Sequence, residues 1–307
     1  MDTTTTYLGL TLKNPLIAAS CSLTGTPAGA HKLEEQGFGA LVVRSFFEDE
    51  ISDATPGSTA ADPSAFLRNL VEIRNAVAIP VIASLNGRTP ARSAMLARQI
   101  EDTGVSALEL NLYDIPDSTA HTSASIESHQ LELVSAVTAA TKLPVTVKIS
   151  PYYTALVGFC QQLEAHGAKG IVIFNRFMQP DINIETGHLR YNANFSHADD
   201  VRLPLRWTAI LREHIHADIA LSGGVHDANA VIQALLVGAN AVCLCSVLYL
   251  RHDANPAGEI LGDLKHWLAR KGCQNIDEFR GTMRNTGLGG HAGFERAHYV
   301  RTLASVR

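Results

Sequence analysis

One phrase recurs four times along the chain, and it limits the fold more than any bulk property does. It reads Glu35-Gln36-Gly37-Phe38-Gly39-Ala40-Leu41-Val42-Val43 and then Asp102-Thr103-Gly104-Val105-Ser106-Ala107-Leu108-Glu109-Leu110. It returns as Ala165-His166-Gly167-Ala168-Lys169-Gly170-Ile171-Val172-Ile173 and as Leu236-Val237-Gly238-Ala239-Asn240-Ala241-Val242-Cys243-Leu244. In each copy a helical segment ends at a glycine, the residue that caps helices without steric penalty. A short turn follows, then an apolar run of the kind that forms a strand buried on both faces.

Four further β-prone runs lie between the copies: Leu16–Ser20, Val81–Leu85, Val145–Ile149 and Ile219–Ser222. Helical spacing occupies residues 28–36, 90–103, 128–141, 154–166, 205–215, 227–237 and 257–271. Eight strands with helices between them predict an α/β fold, a single (β/α)8 TIM barrel over residues 1–307 with a C-terminal helical extension at about 274–307. A doubly wound open sheet is the rival, but it would more often place its glycine-rich turn after the first strand.

The connections are asymmetric. Helix-to-strand links are short, whereas strand-to-helix links are long at about 45–64, 112–126 and 175–204. Long loops gathered at one end build a site over the C-terminal mouth of a barrel. In the last of them, residues 182–191 alternate about Thr186-Gly187, which predicts a hairpin.

Bulk properties narrow the function. The chain is 46% apolar and 18% charged, with a formal charge of −5 and no Lys/Arg cluster, so nucleic acid is not the expected partner. The N-terminus, Met1-Asp2-Thr3-Thr4-Thr5-Thr6, is polar, and no run reaches membrane-spanning length. A cytoplasmic enzyme without a membrane partner is the expectation. The five cysteines are scattered and lack a C-x-x-C, which speaks against a disulfide framework, structural zinc or an iron–sulfur cluster. Cys243 and Cys245 share one strand face, as small packing residues do. His214 and His216 have no metal-ligand geometry, and no metal is expected. His226 either faces a bound anion or is simply a polar side chain at the surface.

Chemistry gathers at the strand ends. Ala220-Leu221-Ser222-Gly223-Gly224-Val225 and Ala241-Val242-Cys243-Leu244-Cys245-Ser246 both finish in small residues just before a helical segment. Small residues let backbone N–H groups approach a ligand, and a following helix N-terminus favours an anion. Two such ends late in a barrel mark a phosphate site. The other ends carry Ala19-Ser20, Arg44-Ser45, Ser84, Asn111, Lys148 and Asn175-Arg176. A lysine inside the apolar strand Pro144-Val145-Thr146-Val147-Lys148-Ile149 is expensive unless its ammonium meets a partner. It either reaches the rim or is held against an electron-rich ligand. Asn111 either serves the fold or offers a planar heterocycle both a donor and an acceptor.

In order along the chain, Asn14-Pro15-Leu16-Ile17-Ala18-Ala19-Ser20, Glu109-Leu110-Asn111-Leu112, Val147-Lys148-Ile149-Ser150-Pro151-Tyr152, Leu221-Ser222-Gly223-Gly224-Val225 and Cys245-Ser246 resemble the motifs of dihydroorotate dehydrogenases. The likeness is to the soluble class 1 branch and covers nearly the whole chain. Phe174-Asn175-Arg176-Phe177 and Leu203-Pro204-Leu205-Arg206-Trp207 are similar to phrases of a bacterial dihydroorotate dehydrogenase-like subgroup. The resemblance implies an FMN-dependent oxidoreductase of pyrimidine biosynthesis, acting on dihydroorotate or a related cyclic carboxylated compound. It implies that Ala19 and Ser20 lie along the isoalloxazine and that Arg44, Ser84 and Ser222 belong to the cofactor set. Asn111 would touch flavin and substrate, and Lys148 the N1/O2 edge. Gly223, Gly224, Cys245 and Ser246 would cradle the phosphate, with Asn175 and Arg176 on the substrate.

Two substrate elements depart from the family pattern. The family's base is a cysteine in an Asn-x-Ser-Cys-Pro-Asn phrase. Here Asn111-Leu112-Tyr113-Asp114-Ile115-Pro116-Asp117 has no cysteine and one extra residue before proline. Asp114 or Tyr113 stands in as catalytic base or acid, or Asp114 simply caps the loop. Arg44 replaces a lysine, keeping the charge and adding a fork suited to an anionic, carboxylated substrate. The family's asparagine loop is not recognisable in residues 51–65. With no cysteine cluster or NAD fingerprint, electrons must leave to a soluble acceptor or a separate electron-transfer protein. Two other readings stay open: a flavin-binding partner protein without dihydroorotate activity, and a lyase barrel using Lys148 as a Schiff-base amine on a sugar phosphate. The segment Phe294-Glu295-Arg296-Ala297-His298-Tyr299-Val300 is amphipathic and packs on the barrel or on a partner, which leaves a homodimer possible.

Overall fold

Eight parallel strands close into a ring, each hydrogen-bonded to the next and the eighth to the first. They are β1 (Leu16–Ala18), β2 (Ala40–Val42), β3 (Val81–Asn86), β4 (Ala107–Asn111), β5 (Val145–Ile149), β6 (Gly170–Ile173), β7 (Asp218–Ser222) and β8 (Ala241–Leu244). The computed structural model describes residues 1–52, 55–60, 62–177, 179–190, 195–284, 299–301 and 303–305. The helices around the ring are α1 (Pro27–Glu35), α2 (Ser64–Ala76), α3 (Pro90–Glu101), α4 (Ser123–Ala140), α5 (Leu156–Ala165), α6 (Arg202–Leu211), α7 (Ala228–Leu236), the short α8 (Ser246–Leu250) and α9 (Pro256–Lys271). This is the predicted TIM barrel. Among the described residues no helix is long and apolar enough to cross a membrane.

Local chemistry sets the element ends. Thr26, Thr122, Asp227 and Asn255 each accept a backbone N–H at the start of a helix, and Pro27 and Pro256 follow two of these caps. The four repeated glycines, Gly37, Gly104, Gly167 and Gly238, all have positive φ, so each copy of the phrase is one left-handed helix exit into a strand. Strand alternation then sorts the side chains into two layers. Leu16, Leu41, Leu85, Leu108, Val147, Ile171, Leu221 and Val242 pack outward against the helices. Ile17, Val42, Ile82, Ala107, Val172, Ala220 and Ala241 fill the barrel interior.

The N-terminus closes the far end of the barrel, a feature absent from the sequence reading. Strands Thr5–Tyr7 and Leu10–Leu12 form a small antiparallel hairpin whose Tyr7, Leu8 and Leu12 join the interior layer. The Tyr7 hydroxyl meets Thr146 Oγ1 at 3.0 Å, and the Leu8 N–H donates to Asp218 Oδ2 at 2.7 Å. Burial raises the Asp218 carboxyl, against the pull of the Leu8 N–H and of Arg212 and Arg280.

Three other differences concern the connections. α2 lies in a stretch that gave no clear helical signal. The link after β2, read only as a long loop, carries strand Phe46–Phe47 on β3 and an antiparallel pair, Asp49–Ser52 with Thr55–Ala60. α6 runs Arg202–Leu211 rather than 205–215. The hairpin expected in the β6 loop is present and pairs Asp181–Ile182 with Leu189–Arg190. In the C-terminal extension, residues 299–301 and 303–305 are helical, while Phe294–His298 lie outside the described residues.

Glu48 ties the β2 loop to the barrel. Its carboxylate is 1% exposed and accepts bonds from the N–H of Arg88 at 2.7 Å, Thr89 Oγ1 at 2.5 Å and Ser93 Oγ at 2.7 Å, at the N-terminus of α3. A carboxylate there satisfies orphan helix donors and suits the dipole. Glu48→Ala leaves those donors buried and unpaired, so chemical denaturation will show a loss of about 2–4 kcal/mol, with Glu48→Gln losing less.

Candidate active site

Alternation along β4 and β5 puts Glu109 and Asn111 on the inward face beside Thr146 and Lys148, with Thr146 opposite Glu109 and Lys148 opposite Asn111. The Lys148 ammonium stands 4.0 Å from Glu109 Oε1, and both groups are buried. Burial alone would lower the Lys148 pKa. The Glu109 carboxylate outweighs it, helped by the nearby thiols, and the result lies above the ordinary lysine value. Lys148 is therefore a fixed cation. Glu109 was missed in the sequence, although it sits two residues before Asn111 in an otherwise apolar run and so shares its face.

A line of hydroxyls runs from the mouth to that carboxylate. The Ser45 N–H donates to Ser20 Oγ at 2.9 Å, and the two hydroxyls lie 3.1 Å apart. Ser45 Oγ is 2.7 Å from Ser84 Oγ, which donates to Glu109 Oε1 at 3.0 Å. Ser20, Ser45 and Ser84 come from the ends of three adjacent strands, β1, β2 and β3.

Above the pair opens a cavity of about 490 Å³, within the usual range for small-molecule sites. Of the predicted residues, Ala19, Ser20, Lys148, Asn175, Arg176, Ser222, Gly223, Gly224, Cys245 and Ser246 line it. Gly223 and Gly224 both have positive φ. A Cβ on Gly223 would meet nothing within 4 Å, so its backbone faces open space. A Cβ on Gly224 would fall 2.1 Å from the Val201 nitrogen, because the returning β6 loop packs on it. Ser246 Oγ accepts the Ser196 N–H at 2.9 Å, and Ser196 Oγ lies 3.1 Å from His226 Nε2. Phe195 stacks on Tyr249 at 5.2 Å. Phe195, Ser196, Tyr249 and Cys21 also line the wall, and none was read from the sequence as a site residue.

Asn111, Ser84, Tyr113, Asp114 and Arg44 are not among the cavity's lining residues. Asn111 is buried; its Oδ1 accepts from Asn175 Nδ2 at 2.7 Å, and its carbonyl accepts from Asn86 Nδ2 at 2.9 Å. Ser84 is buried within the hydroxyl line. Arg176 pairs with Asp200 at 2.8 Å. Tyr113 packs edge-on to Phe177 with centroids 4.7 Å apart, and Asp114 is exposed. Arg44 does not join the others: its exposed side chain lies over Gly25 in a separate depression with Phe46 and Phe66. Among the described residues no three His, Cys, Asp or Glu side chains are grouped to hold a metal ion.

A buried lysine–carboxylate pair under a mouth edged by Gly-Gly amides fits the resemblance drawn from the motifs. A family model described as dihydroorotate dehydrogenase matches residues 60–268. The chain belongs to the dihydroorotate dehydrogenase family. It is 30% identical to the dihydroorotate dehydrogenase B (NAD(+)) catalytic subunit of Methanosarcina acetivorans over 295 residues, covering 89% of this chain and 93% of that one. It is 25% identical to dihydroorotate dehydrogenase A (fumarate) of Lactobacillus helveticus, covering 90% and 96% respectively. The B-type catalytic subunit of Desulforudis audaxviator is 26% identical, covering 94% and 99%. The chain is thus a dihydroorotate dehydrogenase-like oxidoreductase, similar to relatives whose names specify different electron acceptors.

The charge pair yields a direct test. Glu109→Gln leaves a buried ammonium without its counterion and should lower stability by about 3 kcal/mol. Adding Lys148→Met removes the orphaned charge and should recover more than half of the loss, measured by a double-mutant cycle in urea.

Proposed function

We propose that the chain binds FMN in the cavity between Lys148 and the Gly223-Gly224 turn, and oxidises dihydroorotate or a related cyclic carboxylate on its CH–CH bond. One observation carries this reading: a cation held protonated by Glu109 at the cavity floor, with the Gly223 backbone facing open space at the other end. The donor set suits FMN. Small residues Ala19 and Ser20 leave room for a flat ring. The backbone N–H groups about Gly223, Gly224 and Ser246 suit a phosphate, and a Cβ at Gly223 would project into the space such a group needs. Bound there, FMN would supply the hydride acceptor.

The chain's own residues do the rest. Lys148 stabilises negative charge that develops on the ring edge above it, and the fixed Glu109 keeps that cation in place without reorganisation. The Asn175–Asn111 hydrogen bond presents two side-chain amides at one strand-end corner, where they orient a substrate ring. Proton removal falls to the loop after β4, where Asp114 is the first carboxylate beyond Asn111 and Tyr113 precedes it. A carboxylate accepts a proton at neutral pH, whereas a tyrosine must first lose its own. Arg44 turns toward Gly25 in a separate depression, so no substrate contact is assigned to it. The electron acceptor is a soluble compound or a separate electron-transfer protein.

A Schiff-base lyase fits less well. That chemistry needs a neutral lysine amine, and Glu109 favours the ammonium form of Lys148. The purified protein should be yellow, and denaturation should release a compound with the mass of FMN. Under anaerobic conditions dihydroorotate should bleach the flavin. Asp114→Asn should slow bleaching at least about a hundredfold with little change in flavin content, whereas Tyr113→Phe should slow it less. A colourless protein that takes up no flavin would overturn the cofactor. A yellow protein that stays oxidised with dihydroorotate would remove that substrate alone.

A further inference from the structure

β8 runs beside β1 with Leu244 opposite Ala18, and the Ala19 N–H donates to the Leu244 carbonyl at 2.9 Å. Past these adjacent strand ends both chains turn into the same cavity wall, which carries Cys21 from one and Cys245 from the other. Both are half-buried, and their side chains hydrogen-bond to each other, thiol to thiol. Tyr249 also bonds to the Cys21 sulfur, and its hydroxyl is fixed by Ser22 Oγ at 2.6 Å. The backbone N–H groups of Leu23 and Thr24 complete the set around Cys21.

The two sulfurs are unequal. The Cys245 thiol, followed by Tyr249 and the two backbone amides, pulls the Cys21 pKa down to about 6 against the effect of burial. Cys245 moves up for the complementary reason, since its proton is held between the pair and burial adds to the effect. Cys21 is therefore the more readily ionised sulfur of the pair, with a protonated thiol beside it. A low-pKa thiolate next to a second thiol is the arrangement that oxidises first and is then resolved as a disulfide. The chain's buried cysteines contrast with it, because burial pushes Cys160 and Cys243 up to about 12.

We propose that Cys21 and Cys245 form a reversible disulfide across the β1–β8 edge of the cavity in response to hydroperoxide. The Cys21 sulfur attacks the outer peroxide oxygen and the O–O bond breaks, giving a sulfenic acid and hydroxide. Cys245 gives its proton to that hydroxide, and its sulfur displaces the sulfenic oxygen, which leaves as hydroxide and takes a proton from solvent. The sulfurs lose two electrons in all, and hydrogen peroxide becomes two waters. A dithiol reverses the bond by exchange.

The test uses the full-length protein as purified and reads peptide masses, so it works whether or not flavin is bound. After stoichiometric hydrogen peroxide and alkylation, digestion without reductant should give one cross-linked peptide pair joining Cys21 to Cys245, about 2 Da lighter than its two thiol forms. Dithiothreitol should return both thiols. Cys245→Ser should instead accumulate a Cys21 sulfenic acid that dimedone traps, and Cys21→Ser should slow thiol loss at least about tenfold. In the untreated protein, alkylation of Cys21 by iodoacetamide should rise with a midpoint near pH 6, where an ordinary cysteine would show about 8.5. Peroxide treatment that yields only overoxidised Cys21, a link to another cysteine, or no loss of thiols would overturn the proposal.

Discussion

The ion pair of Lys148 and Glu109, 4.0 Å apart inside the barrel, is the interaction on which the site rests. Neither charge would be stable there alone, since moving such an ion out of water costs several kcal/mol even after the protein relaxes. Each is tolerable because of the other, and Glu109 gains a further partner in the Ser84 hydroxyl. That dependence explains why three strands supply hydroxyls at one level of the barrel. Ser20, Ser45 and Ser84 are not separate ligands but a connected polar seam in an otherwise apolar interior. The arrangement also decides which chemistry the lysine is suited to. It is a permanent cation, a better stabiliser of negative charge than a nucleophile.

The architecture was legible in the sequence because it repeats. Four glycines forced into positive φ mark four helix exits, and a strand buried on both faces cannot hide its apolar run. Lys148 was legible for the opposite reason, as a charge where the run should be apolar. Other features left no such trace. The N-terminal hairpin has three-residue strands, too short for a periodic signal. Glu109 lies inside one copy of the repeat and was absorbed into it. Cys21 and Cys245 are 224 positions apart in the numbering and meet only because β8 closes on β1. Arg44 could be placed at a strand end, but a side chain's direction at a strand end depends on the loop that follows, and here it turns toward Gly25.

The proposed cofactor and substrate elements sit on different parts of the fold. The parts that would hold the flavin come from strand ends, where backbone hydrogen bonds fix positions within the barrel. The parts that would choose a substrate come from the β2, β4 and β6 loops, which the barrel constrains far less. The missing cysteine in the β4 loop and the unfamiliar β2 loop are both changes of this second kind. A scaffold of this type can alter what it oxidises while leaving the electron-accepting side untouched.

The hairpin beneath the barrel has a consequence for the charges above it. Tyr7, Leu8 and Leu12 cover that end of the barrel with buried side chains. On the mouth side the serine seam links the Glu109 carboxylate to the strand ends. The first dozen residues thus act as electrical insulation: they set how dry the barrel is, and hence how strongly its single ammonium is felt by whatever sits on top.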